Sequence, residues 1–271
     1  MPKNVLVVGM PRSGTSMTAA IFANNGYFVA EDQNKELRAS DEYNPSGYWE
    51  AEPLIQCNAE IFAAAGFKHD NTWLYDSITD DQANAILSLQ PSVKHQQLVD
   101  KFNQHNPWIW KDPRLCYTLG YWWPLLDATT TSVLFLKRDP KEIYNSFIRL
   151  KWRSTSQEDK ADVLLRIQKH LDATEAALKK YNIPHIVIHY SDYKNHPEKT
   201  ADKLSRFFDL HLNKDDLGYQ NKYNTHSLRG TLLRITDKIG DLLPHNIRTI
   251  IKKLIPTFIW KKVNPHRYSD S

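Results

Sequence analysis

The sequence predicts an α/β fold: a single domain in which helices flank a central parallel sheet, followed by a basic helical C-terminal extension. Short apolar runs, rich in β-branched residues, alternate along the chain with longer segments of helical periodicity. This alternation favours a parallel sheet. Three of the apolar runs end in polar, charged turns. Because ligands of open α/β sheets bind beyond the carboxyl ends of the strands, these turns indicate where a functional site lies.

The first strand is predicted from Val5 to Val8, a β-branched run suited to a buried parallel strand. A loop from Gly9 to Gly14 interrupts it, and a helix is predicted from Thr15 to Asn25, where Asn25-Gly26 ends it. Residues 31–50 are polar and contain an Asn-Pro-Ser-Gly turn, so we expect a long surface loop there.

The rest of the chain alternates between helical and strand-like segments. Helices are predicted over residues 53–65, within the polar region 68–105 with starts at Asp80-Asp81 and Ser92, after Pro140 through Leu150, and from about Glu158 to Lys180. The remaining strands are predicted at Trp108–Trp110, Val133–Leu136 and Ile183–His189.

The composition is that of a folded protein with one main core. The chain has 271 residues, of which 41% are apolar and 24% charged, so wholesale disorder and a fibrous repeat are excluded. The two cysteines, Cys57 and Cys116, lie far apart and outside any C-x-x-C pair or histidine ligand spacing. A disulfide scaffold and a zinc finger are therefore not expected.

The sequence contains no recognisable export or membrane-spanning segment. The apolar run near the N-terminus is too short for a signal peptide. No uncharged apolar stretch reaches the length of about 18 residues that a transmembrane helix needs. We therefore expect a cytoplasmic protein.

Positive charge is concentrated near the C-terminus. Between Arg229 and Arg267, nine Lys and Arg residues face two Asp residues, although the net charge of the whole chain is only +4. Residues 247–263 mix apolar and cationic side chains. If helical, this segment suits either peripheral contact with an anionic membrane, at its inner face, or docking on the protein body. Nucleic acid is not an expected partner, because the rest of the chain is net acidic and no recognition motif occurs.

The segment from Gly9 to Ser16 has the two glycines of a phosphate-binding loop, directly between a strand and a helix. Backbone N–H groups and a helix N-terminus would bind an oxyanion there, as in P-loop-like folds. A nucleoside triphosphatase needs Lys after the second glycine, and Thr15 occupies that place. The loop instead offers the Arg12 guanidinium, which can hold a phosphate or sulfate through two nitrogens. It also offers three hydroxyls, those of Ser13, Thr15 and Ser16. The alternative is a structural turn with Arg12 in solvent.

Pro11-Arg12-Ser13-Gly14-Thr15-Ser16 resembles the 5′-phosphosulfate loop of sulfotransferases that use 3′-phosphoadenosine 5′-phosphosulfate (PAPS). The likeness is to the tyrosylprotein and carbohydrate branches, where Arg stands in the loop instead of Lys. Arg138 and Ser146, eight residues apart across a strand-to-helix junction, are similar to the Arg and Ser that bind the 3′-phosphate in that family. The resemblance implies that PAPS is the cofactor and that these residues bind it.

Further segments extend the resemblance over residues 5 to 230. Asn44 to Glu50 and Lys111 to Arg114 resemble blocks of bacterial members of the superfamily. Tyr190 is similar to the family tyrosine beside the adenine, and Arg229 to an arginine that touches the 3′-phosphate, although the Lys that follows it in the family is Gly here. The resemblance implies a catalytic domain over residues 1–230 and a basic segment over residues 231–271.

Sulfuryl transfer needs positively charged protein groups close to the transferred sulfonate. It also benefits from a base that takes the proton of the acceptor hydroxyl. Arg12 and Lys111 are the predicted catalytic cations, the alternative for Lys111 being a surface lysine whose amine reaches water. Glu50 is the predicted base, because its aromatic neighbours would remove water from the carboxylate. A capping or solvated role for Glu50 is equally open. Asp112 is the second candidate, although Asp before Pro is often a turn residue.

Two other groups of side chains have competing interpretations. His185 and His189 alternate on a predicted strand, but no third ligand accompanies them, so core or surface histidines are favoured and no metal is expected. Trp122-Trp123 and Trp49 suit an acceptor platform, because aromatic rings stack on sugars, or ordinary core packing.

The sequence thus predicts a sulfotransferase that moves a sulfonate from PAPS to a hydroxyl of a carbohydrate, a glycolipid or a related metabolite. Two alternatives remain open. A P-loop kinase of a small molecule would bind ATP with Mg²⁺, and a membrane-associated adaptor would keep the fold without turnover.

Overall fold

Four parallel strands form the sheet within the part of the chain that the structure describes. The structure is a computed structural model, and it describes residues 2–41, 44, 47–67 and 77–219. The strands are β1 (Asn4–Val8), β2 (Ile109–Lys111), β3 (Thr131–Lys137) and β4 (His185–His189), in the order β2-β1-β3-β4. The predicted α/β fold and each predicted strand are confirmed.

The register places β1 at the centre of the sheet. Val5 is level with Ile109 of β2 and with Ser132 of β3, while Val133 is level with His185 of β4. All five residues of β1 are buried, as expected for a strand covered on both faces. The loop that follows β1 therefore leaves the sheet between the ends of β2 and β3.

Helices occupy most of the remaining described residues, and where a helix was predicted the observed bounds agree closely with the prediction. They are α1 (Thr15–Asn24), α2 (Gln33–Glu36), α3 (Glu52–Ala64), α4 (Asp80–Ser88), α5 (Val93–Asn103), α6 (Leu115–Trp122), α7 (Pro140–Arg149), α8 (Gln157–Lys180), α9 (Asp192–Asn195) and α10 (Pro197–Phe208). No helix was predicted over Gln33–Glu36, Leu115–Trp122, Asp192–Asn195 or Pro197–Phe208. Two short 3₁₀ turns lie at Trp123–Leu125 and Lys214–Leu217.

Side-chain caps explain where several helices begin. Thr79 accepts a hydrogen bond from the Gln82 N–H, and the Gln82 side chain accepts one from the Thr79 N–H, which makes a reciprocal capping box before α4. Ser92 caps α5 and Ser156 caps α8 through bonds to backbone N–H groups. The two predicted starts in the polar region are therefore confirmed.

The two faces of the sheet carry separate apolar clusters. Leu6 and Val8 of β1 face a cluster rich in tryptophan, and Val5 and Val7 face another that contains Phe22. This alternation follows from the two-residue period of a strand.

The structure decides between the two interpretations of Trp122-Trp123. The exposed fractions are 0% for Trp122 and 7% for Trp123. The Trp122 ring lies edge-on to Trp110 at 5.0 Å, and its N–H donates to the Asn58 Oδ1 at 2.8 Å. Both residues belong to the core, so this pair cannot form an acceptor platform.

The predicted surface loop over residues 31–50 is wrong in part. The segment contains α2, and beyond it the Arg38 N–H donates to the Glu50 carbonyl at 2.9 Å, while Leu37 bridges Ala51. Tyr48 and Glu50 are buried, with exposed fractions of 5% and 1%. Backbone pairing between the two ends of the segment therefore turns polar residues inward. No local sequence pattern encodes such a pairing.

Several predictions concern residues outside the described ranges. They are Arg229, the boundary at residue 230, the basic segment over residues 231–271 and the amphipathic stretch 247–263. Among the helices within the described ranges, none combines the length and the hydropathy required to cross a bilayer.

Candidate functional site

The predicted site residues gather at the carboxyl edge of the sheet. The loop from Gly9 to Gly14 follows β1, Lys111 ends β2, Arg138 follows β3 and Tyr190 follows β4. Because all four strands are parallel, their carboxyl ends meet at one edge. Residues that are far apart in sequence are thereby brought to one side of the molecule.

Both glycines of the loop are required by close packing. A Cβ on Gly9 would lie 2.8 Å from the Leu136 carbonyl oxygen, and a Cβ on Gly14 would lie 2.4 Å from two carbons of the Tyr190 ring. Gly14 also has a φ of 100°, and Arg12 adopts a φ of 69°, which a non-glycine residue rarely does. The loop is therefore pressed against β3 and Tyr190 in a conformation with strained backbone.

The hydroxyls of the loop have different surroundings. The Ser13 hydroxyl donates to the Met10 carbonyl at 2.6 Å, so its hydrogen holds the loop's own shape. Thr15 is buried, with an exposed fraction of 4%. Ser16 accepts a hydrogen bond from the Lys111 amine at 3.2 Å. Of the three predicted hydroxyls, Ser16 therefore connects the loop to another predicted catalytic residue.

The N-terminus of α1 is open to an anion. Among the described residues, no side chain caps it, and its first turn carries no acidic residue. The first backbone N–H groups of a helix lack partners within the helix and carry its partial positive charge. Arg12, two residues before Gly14, adds a full positive charge beside them.

Three arginines meet at this loop. We call Arg12, Arg138, Arg149 and Ser146 the arginine cluster. The Ser146 Oγ accepts from Arg12 Nε at 3.2 Å and from Arg149 Nη2 at 3.3 Å, and Arg138 Nη1 donates to the Arg12 carbonyl at 2.9 Å. The two sequence motifs, the loop and the Arg138–Ser146 pair, are therefore in direct contact.

The arginine cluster concentrates like charges. Burial, together with the positive charges of Arg149 and Arg138, lowers the pKa of Arg12 to about 10. Burial and the charge of Arg138 also lower the pKa of Arg149. A bound anion would favour the charged form of each arginine and offset this repulsion. The cluster has the electrostatics of a phosphate or sulfate site.

Aromatic rings hold the arginines in place. The Arg138 guanidinium lies 4.2 Å from the centre of the Tyr190 ring, and Arg12 lies 5.6 Å from the centre of the Trp152 ring. Arg138 also donates to Glu142 at 2.8 Å, on the exposed side. Tyr190 thus packs against both the loop and Arg138, and its place beside an adenine stays a prediction.

A second charged cluster surrounds Glu50. We call Glu50, Lys111, Arg38 and Tyr48 the Glu50 cluster. One carboxylate oxygen of Glu50 contacts the Lys111 amine, and the other accepts from Arg38 Nη1 at 3.1 Å. The Arg38 guanidinium lies 4.0 Å from the centre of the Tyr48 ring. Glu50 is therefore an ion-paired carboxylate. The sequence analysis predicted only aromatic neighbours for it and did not predict that these two cations contact it.

Lys111 is a buried residue. Its exposed fraction is 3%, which excludes the interpretation as a surface lysine. Its amine bridges Glu50 and Ser16. Since Ser16 lies in the first turn of α1, Lys111 connects the predicted base to the predicted anion-binding loop.

Tyr48 and Trp49 help to position Glu50. The Tyr48 hydroxyl donates to the Asp41 carboxylate at 2.7 Å, and burial, followed by this hydrogen bond, raises the pKa of Tyr48. Trp49 is half-buried and has a φ of 56°, a left-handed conformation that is rare for an aromatic residue. The backbone immediately before Glu50 is therefore strained.

Asp112 has a structural role. Its carboxylate accepts from the Arg114 N–H at 2.8 Å, from Arg114 Nη1 at 3.2 Å and from Asn58 Nδ2 at 3.1 Å. Its exposed fraction is 1%. These bonds hold the turn after β2, and the choice of Glu50 as the base stays a prediction.

Sequence reasoning missed Arg149 and Arg38. Arg149 stands three residues after Ser146 on α7, a spacing that puts both side chains on one helix face, so this signal was present. Arg38 gave no comparable signal, because only the folded path of residues 37–51 brings it to Glu50. His185 and His189 are both exposed on β4, which agrees with the favoured interpretation.

Known structures resemble this chain in fold. The sulfotransferase domain from the curacin biosynthetic pathway aligns with a TM-score of 0.50 and 15% identity, over 81% of this chain and 78% of that chain. The sulfotransferase domain from the Synechococcus PCC 7002 olefin synthase aligns with a TM-score of 0.45 and 13% identity, over 83% and 79%. A sulfotransferase from Mycobacterium tuberculosis H37Rv aligns with a TM-score of 0.47 and 14% identity, over 86% and 76%.

Identities this low show the fold alone, and only the first of the three alignments is close enough to support it. A search of curated proteins finds no match. The sequence model described as "Sulfotransferase family" matches residues 2–214, which include both sequence motifs and the whole sheet. This match spans well over half of the 271 residues of the chain. The chain therefore belongs to the sulfotransferase family.

Proposed function

We propose that this protein transfers a sulfonate group from PAPS to a hydroxyl group, with a carbohydrate or glycolipid as the acceptor class. The observation that carries the proposal is the arginine cluster, in which cations from two strand ends converge beside an open helix N-terminus. A nucleotide with phosphates at both its 3′ and 5′ positions has the matching charge. Membership of the sulfotransferase family supports the same donor.

The segments that follow β1 and β3 would bind opposite ends of the donor. The loop N–H groups and Arg12 would bind the 5′-phosphosulfate, with Pro11, Ser13, Gly14, Thr15 and Ser16 forming the loop. Arg138 and Ser146 would bind the 3′-phosphate, and Arg149 joins them because it shares the Ser146 hydroxyl. Charge-assisted hydrogen bonds of this kind are among the stronger ones in proteins.

Lys111 would neutralise charge on the oxygen that the sulfur leaves. Sulfuryl transfer, like loose phosphoryl transfer, builds negative charge on the leaving oxygen and the equatorial oxygens. The buried Lys111 amine already bonds Ser16 of the loop, which places it on the side where the phosphosulfate would lie. A cation fixed there in advance lowers the barrier because it needs no rearrangement.

Glu50 would accept the proton of the acceptor hydroxyl. The oxygen–sulfur bond to the acceptor forms as the bond between sulfur and the phosphate oxygen breaks, and the hydroxyl proton passes to the Glu50 carboxylate. Arg38 and Lys111 hold this carboxylate from two sides. Its position is therefore fixed before any substrate arrives, which removes part of the entropic cost of the reaction.

Calorimetry separates this function from its rivals. Adenosine 3′,5′-bisphosphate should bind without Mg²⁺ and more tightly than ATP, because the arginine cluster offers two anion sites and no metal is needed. Tighter binding of ATP, dependent on Mg²⁺, would instead indicate a small-molecule kinase. Donor binding with no sulfonate transfer to any acceptor would indicate the inactive adaptor.

Arg138→Ala tests the nucleotide site directly. We expect the affinity for adenosine 3′,5′-bisphosphate to fall by a factor of about 10 to 100, the range for hydrogen bonds to charged groups. Arg206→Ala, on the exposed face of α10, is the matched control and should bind as the unaltered protein does. Equal affinity in both variants would contradict the assignment of Arg138.

The acceptor class is tested with labelled donor. Incubation of the protein with sulfur-labelled PAPS and extracted glycans, glycolipids and proteins should label the first two fractions. Label in the protein fraction alone would replace the carbohydrate proposal with a peptide acceptor.

A further inference from the structure

Three side chains with metal-binding atoms form a group that shares no residue with the arginine cluster or the Glu50 cluster. They are Cys57 and Glu60 of α3 and His95 of α5, and one donor atom from each lies within 4.8 Å of the others. Cys57 and Glu60 are three residues apart, which puts them on one face of the helix. Sequence pattern does not reveal this group, because His95 lies 38 residues beyond Cys57 and only the packing of α5 on α3 joins them.

His95 presents an unused nitrogen to the other two side chains. Its exposed fraction is 6%, and its Nε2 makes no hydrogen bond within the described residues. The nearest carboxylate oxygen, Glu60 Oε2, is 3.6 Å away. A buried polar atom without a hydrogen bond is uncommon and calls for a physical explanation.

The other ring nitrogen of His95 has a partner that suits a metal-bound histidine. Nδ1 is hydrogen-bonded to the Tyr121 hydroxyl. With a cation on Nε2, the hydrogen would be on Nδ1 and the Tyr121 oxygen would accept it. Histidines that bind metals commonly donate their other ring N–H to such a partner.

We propose that Cys57 Sγ, Glu60 and His95 Nε2 bind a divalent cation of the Zn²⁺ type. One sulfur, one imidazole nitrogen and one carboxylate oxygen are ligands that Zn²⁺ accepts, and three protein ligands leave a fourth position for water. The Glu60 side chain is half exposed, at 52%, and gives the ion a path from solvent. The ion would join α3 to α5.

The protonation states are compatible with such a site. Burial lowers the pKa of His95, so the imidazole is neutral at pH 7. Burial raises the pKa of the Cys57 thiol to about 11. The thiol therefore releases its proton to solvent as the ion binds, because a coordinated thiol is deprotonated.

Lys94 competes with the ion for Glu60. Its amine contacts Glu60 Oε1, and its side chain is 53% exposed. This exposure lets the amine move into water when a cation arrives. Removal of its charge should therefore strengthen metal binding.

Titration of the full chain with Co²⁺, after removal of metals by a chelator, tests the proposal. We expect one equivalent to bind with a sulfur-to-cobalt charge-transfer band in the near ultraviolet, and one equivalent of Zn²⁺ to displace it. Cys57→Ser should abolish the band, and His95→Gln should weaken binding at least tenfold. Cys116→Ser is the matched control, since it removes the other buried cysteine, and it should leave the band unchanged.

Two further variants keep the test decisive if Cys57→Ser folds poorly. Tyr121→Phe should weaken binding by a factor of about 10, because loss of a partner to a metal-bound histidine costs about 10- to 100-fold. Lys94→Gln should strengthen binding severalfold. Absence of stoichiometric binding, or binding that is equal in the unaltered protein, His95→Gln and Lys94→Gln, would overturn the proposal.

Discussion

The two charged clusters at the carboxyl edge of the sheet differ in how their charges are arranged. In the Glu50 cluster a buried carboxylate lies between Lys111 and Arg38. In the arginine cluster the cations are neighbours of one another, and their repulsion helps to lower the pKa of Arg12. In the first cluster a carboxylate lies between the two cations and pairs with both, whereas the second consists of three arginines and a serine, so that an anion from outside is favoured energetically.

This difference suggests how the site divides its tasks. A balanced ion pair fixes the position of its members, because neither can leave without exposing a buried charge. Like charges held together by neighbouring rings and hydrogen bonds are prepared for a ligand at some cost in stability. We therefore propose that the Glu50 cluster serves positioning and proton transfer and that the arginine cluster serves donor binding.

The largest expected effect that tests this division is on turnover. Glu50→Gln should lower kcat by a factor of about 100 or more, because general base catalysis contributes about 10²- to 10⁴-fold. Its affinity for adenosine 3′,5′-bisphosphate should change by less than a factor of about three, since Glu50 lies outside the arginine cluster. Steady-state assays and calorimetry measure the two quantities. Glu198→Gln, on the exposed surface of α10, is the control, and unchanged turnover in Glu50→Gln would move the base elsewhere.

The next effect is on stability. Lys111→Gln should lower the free energy of unfolding by about 3 kcal/mol, because removal of one partner leaves a buried carboxylate less well balanced. Urea denaturation measures this as a lower midpoint with an unchanged slope. A loss below about 1 kcal/mol would mean that Lys111 and Glu50 are not coupled in the folded chain.

Arg149→Gln should act in the opposite direction on stability. Removal of one repelling charge should raise the melting temperature of the free protein by about 2 °C, equivalent to less than about 1 kcal/mol in a chain of this length. The affinity for adenosine 3′,5′-bisphosphate should fall by a factor of about 10, since a hydrogen bond to a charged group is lost. Thermal unfolding with and without the nucleotide measures both. A lower melting temperature of the free protein would contradict the repulsion inferred for the arginine cluster.

The smallest expected effect is proton uptake. The pKa of Arg12 is lowered to about 10 in the free protein, and a bound anion favours the protonated form and raises it. At pH 9.5 nucleotide binding should therefore protonate the fraction of Arg12 that is neutral there, whereas at pH 7 Arg12 is already protonated and takes up no proton. Calorimetry in buffers of different ionisation enthalpy measures the uptake. Proton release at pH 9.5 would have the wrong sign for this explanation.

Local pattern was sufficient for the four strands and for the helices next to the two motifs, but it did not predict α6 or α10. The β-branched run from Val5 to Val8 and the glycines at both ends of the next loop predicted the first strand and an anion site, because strand period and glycine conformation are local properties. The alternation of strands and helices was enough for the parallel sheet. Local pattern gave a wrong prediction over residues 31–50. The polar composition indicated a surface loop, but Tyr48 and Glu50 are buried.

The sequence by itself determined the strands and the glycine-containing loop after the first of them, because each depends on residues close together in the chain. The Arg138–Ser146 pair was singled out by the family resemblance. Only the tertiary structure decided that Arg149 joins Arg12 at the Ser146 hydroxyl, that Lys111 is buried against Glu50 and that Trp122 belongs to the core. These outcomes depend on which distant segments share a surface. Burial and charge balance arise between segments, so composition within one segment cannot encode them.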